Sequence, residues 1–433
     1  MVQTFAQIED RARQLGRELG RFKAGSVVAV QIGNHSDWPA IFIACLRQEL
    51  VVLPLEQSIS DRQRDSIFRT CNVAATAVPV GSEIQILPAE TPAPATDWGE
   101  HPPLLLKLTS GTTAAPRAIQ FRAEQLIADC ENICETMGIS DSDLNFGVIP
   151  ISHSYGFSNL LTPLIVRGVP IILSQDRTPR AVLTDLARTK ATVLPATPVF
   201  YQSFCELENP PPLPELRLCI SAGAPLPITV ARQFRAKFGL PIHTFYGASE
   251  CGGICYDQEA TGEIDGFVGS PMKNVEIEML DPRSNASQIC VRSKAVGNSY
   301  FPEPEAMRLS NGAFIPDDLL AAVGKGFQIV GRISDVINVA GKKVNPAEIE
   351  AHLRRFSGVR DAVVFGRKSD FRNEEVAACV VVDRDVSEKD LLEFARRELN
   401  AWQVPKQIFV VDSIPANERG KISRRELARR FSG

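Results

Sequence analysis

No stretch of this sequence approaches the roughly 18 consecutive apolar residues of a membrane-spanning helix, so no span is expected. The opening Met1-Val2-Gln3-Thr4-Phe5-Ala6-Gln7 has no basic segment leading into an apolar core, so no secretory signal is expected either. Surplus positive charge is missing. With 47 Lys and Arg against 51 Asp and Glu, the net charge is −4 and the pI about 5.9. That excludes a general basic field for nucleic acid or anionic lipid. Internal repeats and a low-complexity tail are absent. The ten cysteines sit in apolar segments such as Ile43-Ala44-Cys45-Leu46. Neither CxxxC pair, Cys130/Cys134 or Cys251/Cys255, has a second pair or histidines at zinc-ligand spacing. Buried free thiols in a reducing, cytoplasmic compartment are the expectation.

What is present is an ordinary globular composition, 44% hydrophobic and 23% charged, over 433 residues. That length predicts about two or three domains. Thr4 can cap a helix carrying Phe5, Ile8, Ala12, Leu15, Leu19 and Phe22, with Gly25 at its end. Strands at 26–32, 50–55 and 73–78 alternate with helices at 38–47 and from Ser60. The alternation continues from Glu124 to Phe245 and predicts parallel strands with crossover helices, an α/β domain. Leu87 to Pro103 holds five prolines and reads as an irregular connector. Shorter strands from about 262 to 330 suggest a small β subdomain. A second unit of about a hundred residues, α+β in pattern, begins near Gly331-Arg332. The expected domains are therefore 1–331, large and multi-sheet, and 332–433, small.

One stretch organises the chain. Leu104-Leu105-Leu106-Lys107-Leu108 runs as a strand into Thr109-Ser110-Gly111-Thr112-Thr113, five small residues of which four bear hydroxyls. Such a loop brings backbone N–H groups and hydroxyls to a polyphosphate, and Arg117 adds a cation. No Gly-Lys-Ser/Thr follows at Walker spacing, so it is not a P-loop of that kind. Alone, it is also compatible with a polar turn. Four further stretches end strands or lie in loops, where ligands of open α/β sheets bind. His153, Tyr155 and Phe157 follow the strand ending at Pro150. Ser221-Ala222-Gly223-Ala224-Pro225-Leu226 follows another. Tyr246-Gly247-Ala248-Ser249-Glu250 offers an aromatic to stack on a base and a carboxylate suited to Mg²⁺. Asp317 and Asp318 precede Arg332 and Ser334 at the unit junction, and a carboxylate there can take ribose hydroxyls. Lys421, just after Gly420, is a point charge before a basic helix; that run also fits a solvated face.

The ordered set Thr109–Thr113, Tyr246-Gly247-Ala248-Ser249-Glu250, Gly331-Arg332 with Asp335, and Gly420-Lys421-Ile422 resembles the adenylate-forming superfamily of acyl- and aryl-CoA synthetases, adenylation domains and luciferases. The resemblance spans nearly the whole chain; Ser221–Leu226 and Val344–Glu350 also fit. It implies a large N-terminal domain and a mobile C-terminal lid joined by a hinge at Ser334. It implies that a carboxylate attacks the α-phosphate of ATP, and that a thiol then displaces AMP. Thr109, Ser110, Gly111, Thr112, Thr113 and Arg117 would hold the polyphosphate, with Mg²⁺ on Glu250. Tyr246, Gly247, Ser249 and Ala222, Gly223 and Ala224 would line the adenine site, and Asp318 and Arg332 the ribose. His153, Tyr155, Phe157, Ser221 and Gly247 would border the acyl pocket, and Lys421 would bridge carboxylate and α-phosphate.

Departures from the family pattern are Ala114, Arg117 and Ala118 where glycine, lysine and glycine are usual, Pro316-Asp317-Asp318 for Thr-Gly-Asp, and Ser334 at the hinge. Fewer glycines restrict the loop, and arginine is not lysine's equivalent. Three readings follow: an acid–CoA ligase, a ligase loading a carrier-protein phosphopantetheine, and a binding protein without catalysis. The pocket residues suit an aliphatic or aryl acid, and none is an acid that would hold an amino acid's ammonium.

Overall fold

The computed structural model describes residues 2–81, 83–90, 96–109, 116–174, 176–340, 342–369, 373–383, 386–415 and 423–431. The loop residues Ser110, Gly111, Thr112 and Thr113, and Lys421, lie outside the described residues. The chain forms two compact units. The first is Met1–Glu278 with Cys290–Pro316, and the second Met279–Ile289 with Asp317–Gly433. Compactness thus divides the chain at 316/317. The expected domains were 1–331 and 332–433; the second compact unit begins earlier, at Asp317, and takes in Met279–Ile289 as well.

The first helix, Phe5–Leu19, starts as its cap predicts. Thr4 Oγ1 accepts from the Gln7 amide at 3.3 Å and the Gln7 side chain returns a bond to the Thr4 amide. It stops at Gly20, short of Phe22 and Gly25. Val27–Val30 and Val51–Pro54 pair in parallel and are buried throughout. Strands covered on both faces read as continuous apolar runs. The first sheet runs in the order Ser299–Phe301, Ala118–Phe121, Leu105–Leu108, Val51–Pro54, Val27–Val30, Val73–Val80, Glu83–Pro88. Part of the expected connector after Leu87 is the end of that last strand, which returns antiparallel to Val73–Val80. Val27, Ala29, Leu53, Leu106 and Ile67 share one core between this sheet and the helix Asp61–Cys71.

A second sheet of the first unit runs Phe267–Pro271, Gly252–Tyr256, Ile242–Ala248, Leu218–Ser221, Val193–Ala196, Asn145–Gly147, Ile171–Leu173. Its central strands are parallel, and their starts are tied together. Asp143, buried, accepts from Arg217, Thr192 and the Ser140 amide. Within 262–330, Glu276–Met279, Ile289–Arg292, Ala313–Phe314 and Leu309–Ser310 form a small sheet of their own, as expected, and the other strands are shared out. Phe267–Pro271 joins the second sheet and Ser299–Phe301 the first, while Asp318–Val323 and Gly326–Arg332 form a hairpin of the second unit.

In the second unit Val359–Ser369 and Asn373–Val382 form a long hairpin, flanked by Ile337–Val339, Lys342–Val344 and Gln407–Val410. The helices Pro346–Leu353 and Glu388–Glu398 pack on one face, around Ile349, Leu353, Leu391 and Ala395. Leu427 of the helix Arg424–Arg430 packs on the other, with Phe365 and Cys379. All ten cysteines are free, and nine are buried. Among the described residues no helix is long and apolar enough to cross a membrane.

Burial alone would raise the Asp143 carboxyl, but bonds from Arg217, Ser140 and Thr192 outweigh it and hold it below the ordinary carboxylate range. A lowered folded pKa stabilises above the unfolded value near 4 and loses that contribution as pH falls. Asp143→Asn is therefore expected to cost about 1–3 kcal/mol at neutral pH. Urea denaturation should show the gap between variant and wild type closing as pH drops through 4.

Candidate active site

Between the polar stretch and the helix Ala123–Met137 lies a further strand, Ala118–Phe121. It turns back, and Leu105–Leu108 pairs antiparallel with Ala118–Phe121, residue 108 opposite 118. The Thr109 amide donates to the Arg117 carbonyl at 2.9 Å. The polar stretch is thus closed at its base by the two residues that flank it. Behind it, Lys107 is buried with its Nζ 4.6 Å from the Phe121 ring centroid and 3.3 Å from Ser158 Oγ. Burial lowers its pKa, and Asp129 and Cys251 oppose that shift.

The Arg117 guanidinium makes a 3.0 Å ion pair with Glu305 and lies 4.0 Å over the Tyr300 ring. The Tyr300 hydroxyl donates to Glu250 Oε1 at 3.1 Å. The loop cation and the candidate metal carboxylate therefore touch opposite parts of one phenol.

Glu250 follows Ile242–Ala248, which returns as Gly252–Tyr256. Tyr246 is largely buried opposite Cys255. At Gly247 an added Cβ would meet the Gly252 carbonyl oxygen at 2.5 Å, so the hairpin itself requires glycine there. Gly252 has φ +69°, and its open side is filled by the Asp129 carboxylate, 2.0 Å from where a Cβ would stand. Asp129 is buried and accepts from the Gly253 amide at 3.0 Å. It fixes the turn directly behind Glu250.

His153 caps the helical stretch from Ser154, its Nδ1 accepting from the Tyr155 amide. Asn34 holds the approach to it. The Asn34 amide donates to the carbonyls of Gly147 and Ile149, and its oxygen accepts from the Ile151 amide. Ser154 Oγ donates to Ser249 Oγ at 2.9 Å, joining this loop to that of Glu250. Tyr155 is wedged over the strand ends. Its hydroxyl donates to the carbonyls of Ile220 (3.1 Å) and Ala196 (3.4 Å), and its ring centroid lies 5.8 Å from that of Phe245. Burial pushes its phenol far above the ordinary range, so it stays a donor. Phe157 is placed elsewhere. It is 1% exposed and edge-on to Phe42 at 5.3 Å and Trp38 at 6.5 Å, inside the core. Ser221 is buried, and its Oγ has no hydrogen-bond partner among the described residues. Ala222 is buried, and Gly223 turns the chain at φ +88° before Ala224.

In the second unit the hairpin register sets Asp318 opposite Arg332, and Arg332 Nε donates to Asp318 Oδ1 at 2.7 Å. Ser334 lies in the single turn Ile333–Asp335. Arg424, three residues past Lys421, is anchored by Asp335 (2.5 Å), Glu350 (2.8 Å) and the Val364 carbonyl (2.9 Å).

Tyr300, Glu305, Asp129, Asn34 and Arg424 were not legible as site residues. Each acts through partners far away in sequence. Only Arg424, as part of a basic run, carried any local signal. Among the described residues no group of three or more His, Cys, Asp or Glu could hold a metal ion. A lone carboxylate such as Glu250 suits Mg²⁺, which binds through one or two carboxylates together with substrate phosphates.

The family of the chain is shown by its match to known proteins. The AMP-binding enzyme family matches residues 2–301, and the AMP-binding enzyme C-terminal domain matches residues 348–421; the chain belongs to this family. It is 27% identical to an oxalate–CoA ligase of Arabidopsis thaliana over 98% of this chain and 92% of that one. It is also 27% identical to a 3,4-dihydroxybenzoate–[aryl-carrier protein] ligase of Bacillus anthracis, over 75% of this chain and 73% of that one. In fold it matches ATP-bound MatB of Rhodopseudomonas palustris with a TM-score of 0.85 at 22% identity, covering 99% of this chain and 93% of that one.

Gly252→Ala would drive a methyl group into the Asp129 carboxylate at a positive φ. It is expected to cost about 2 kcal/mol or more, read as a lowered Tm.

Proposed function

We propose how the residues at these strand ends divide the work of the reaction. The chain is an AMP-forming acid–thiol ligase: it activates a carboxylic acid with ATP and passes the acyl group to CoA. In the first step a carboxylate oxygen bonds to the α-phosphorus, and the bond to pyrophosphate breaks. In the second the thiol sulfur bonds to the acyl carbon, AMP leaves, and the thiol proton passes to solvent. Two anions must meet in the first step, so oriented donors and cations carry most of the catalysis.

Thr109 to Thr113 and Arg117 hold the polyphosphate. Glu250 would hold Mg²⁺, which when bound neutralises phosphate charge. Tyr246, Gly247, Ser249 and the turn Ala222–Ala224 flank adenine, and Asp318 with Arg332 takes the ribose. Lys421 bridges the carboxylate and the α-phosphate, and Ser334 is the pivot between half-reactions. His153 and Tyr155 border the acyl group. The free cysteines support a cytoplasmic setting.

The observation that carries the choice of acid is Tyr155. Its ring, pinned by two carbonyls, fills space between the strand ends and its own helix. That favours a compact acid, small aliphatic or aryl, over a long fatty chain. The oxalate and dihydroxybenzoate ligases named above support the same size class. The aryl-carrier relative also favours a second reading, delivery to a carrier-protein phosphopantetheine. Thioester formed only on a carrier protein would replace CoA as the acceptor.

ATP–pyrophosphate exchange with small dicarboxylic, aryl and fatty acids tests the assignment. Exchange is expected with one compact class and should fall at least about a hundredfold in Lys421→Ala, the scale of losing an electrostatic group at the reacting centre. Wild-type protein that binds ATP yet exchanges with no acid would overturn the catalytic reading. Tyr155→Ala should extend the accepted acids toward longer chains; an unchanged acid profile would remove Tyr155 from the pocket.

A further inference from the structure

The residue roles above leave the centre of the Arg117–Glu250 arrangement unassigned. Tyr300 is 2% exposed, with its ring face under the Arg117 guanidinium and its hydroxyl on Glu250 Oε1. The backbone makes the same connection. Ser299–Phe301 pairs antiparallel with Ala118–Phe121, the strand that begins directly after Arg117, and Tyr300 stands opposite Ile119. Three residues earlier, the Gly297 amide donates to the Glu250 carbonyl at 2.8 Å. An added Cβ at Gly297 would meet Ile119 Cγ2 at 2.6 Å, so the segment is seated tightly on that strand.

We propose that Tyr300 is a positioning residue of the ligase: its ring face sets the phosphate-loop cation Arg117, and its hydroxyl sets the metal-side carboxylate Glu250. The inference rests on the roles proposed for those two residues. The physical reason lies in what two opposite charges on neighbouring loops would otherwise do. An arginine and a glutamate free to approach would pair with one another, and a carboxylate so engaged is a poorer magnesium ligand. A phenol is a rigid spacer with an electron-rich face for a cation and an O–H edge for an anion. It lets both charges sit close without neutralising each other. Glu305 balances Arg117 from its other side at 3.0 Å.

Two variants separate the two contacts. Tyr300→Phe keeps the ring under Arg117 and removes only the hydroxyl. Calorimetric titration of ATP at stepped Mg²⁺ should show half-saturating Mg²⁺ raised about tenfold, the scale of one charge-assisted hydrogen bond. ATP affinity at saturating Mg²⁺ and the KM for the acid should stay at wild-type values. Tyr300→Leu removes both contacts and should also weaken ATP about fivefold at saturating Mg²⁺, the scale of a cation–π contact. A wild-type Mg²⁺ requirement in Tyr300→Phe would overturn the proposal, as would equal losses for ATP, Mg²⁺ and acid, which mark a merely structural role. If wild-type protein binds MgATP but shows no carboxylate-dependent exchange, the catalytic reading fails, while the Mg²⁺ titration still decides the role of Tyr300.

Discussion

The first unit depends on a short backbone ladder at the edge of its first sheet. Leu105–Leu108, Ala118–Phe121 and Ser299–Phe301 pair in succession, and the Gly297 amide then reaches the Glu250 carbonyl in the loop after a strand of the second sheet. Through these bonds Leu108 and Ala118 are held at a fixed place relative to the loop of Glu250. Backbone hydrogen bonds suit this task, since their direction is set by the strands and no side-chain rotamer has to be frozen.

Side chains then refine what the ladder positions. Asp129 fills the space that a residue with a side chain would occupy at Gly252, and its bond to the Gly253 amide sets the turn after Glu250. Asn34 does the same for the 147–151 segment, with three bonds from one amide. Ser154 and Ser249 close the gap between the two loops. Polar groups at such depth are costly unless bonded. Ser221 Oγ is among the few exceptions, a buried hydroxyl at a strand end with no partner among the described residues.

The second unit solves a related problem with one arginine. Arg424 ties the residues that follow Lys421 to Asp335, beside Ser334, and to Glu350 on the helix Pro346–Leu353. Charge-assisted bonds of this kind are the stronger ones, and they fix where the helix Arg424–Arg430 begins.

The sequence by itself determined the class of fold and the chemistry. Fully apolar strands between amphipathic helices require a buried parallel sheet, Thr4 requires a helix start, and small polar residues at strand ends require a ligand or a turn. Their order along the chain made the first alternative the better one. Only tertiary structure decided which strands meet. Ala118–Phe121 is as apolar as a helix segment would be, and its pairing with residues almost two hundred positions away has no local signature. The same holds for those strands of 262–330 that leave the small sheet there for larger ones, and for Phe157. The family resemblance implied a place at the acyl pocket, whereas Trp38 and Phe42 draw it into the core. Tyr300 carries no motif at all; its role arises because the ladder places one phenol between two loop charges, a geometry that exists only once the chain has folded.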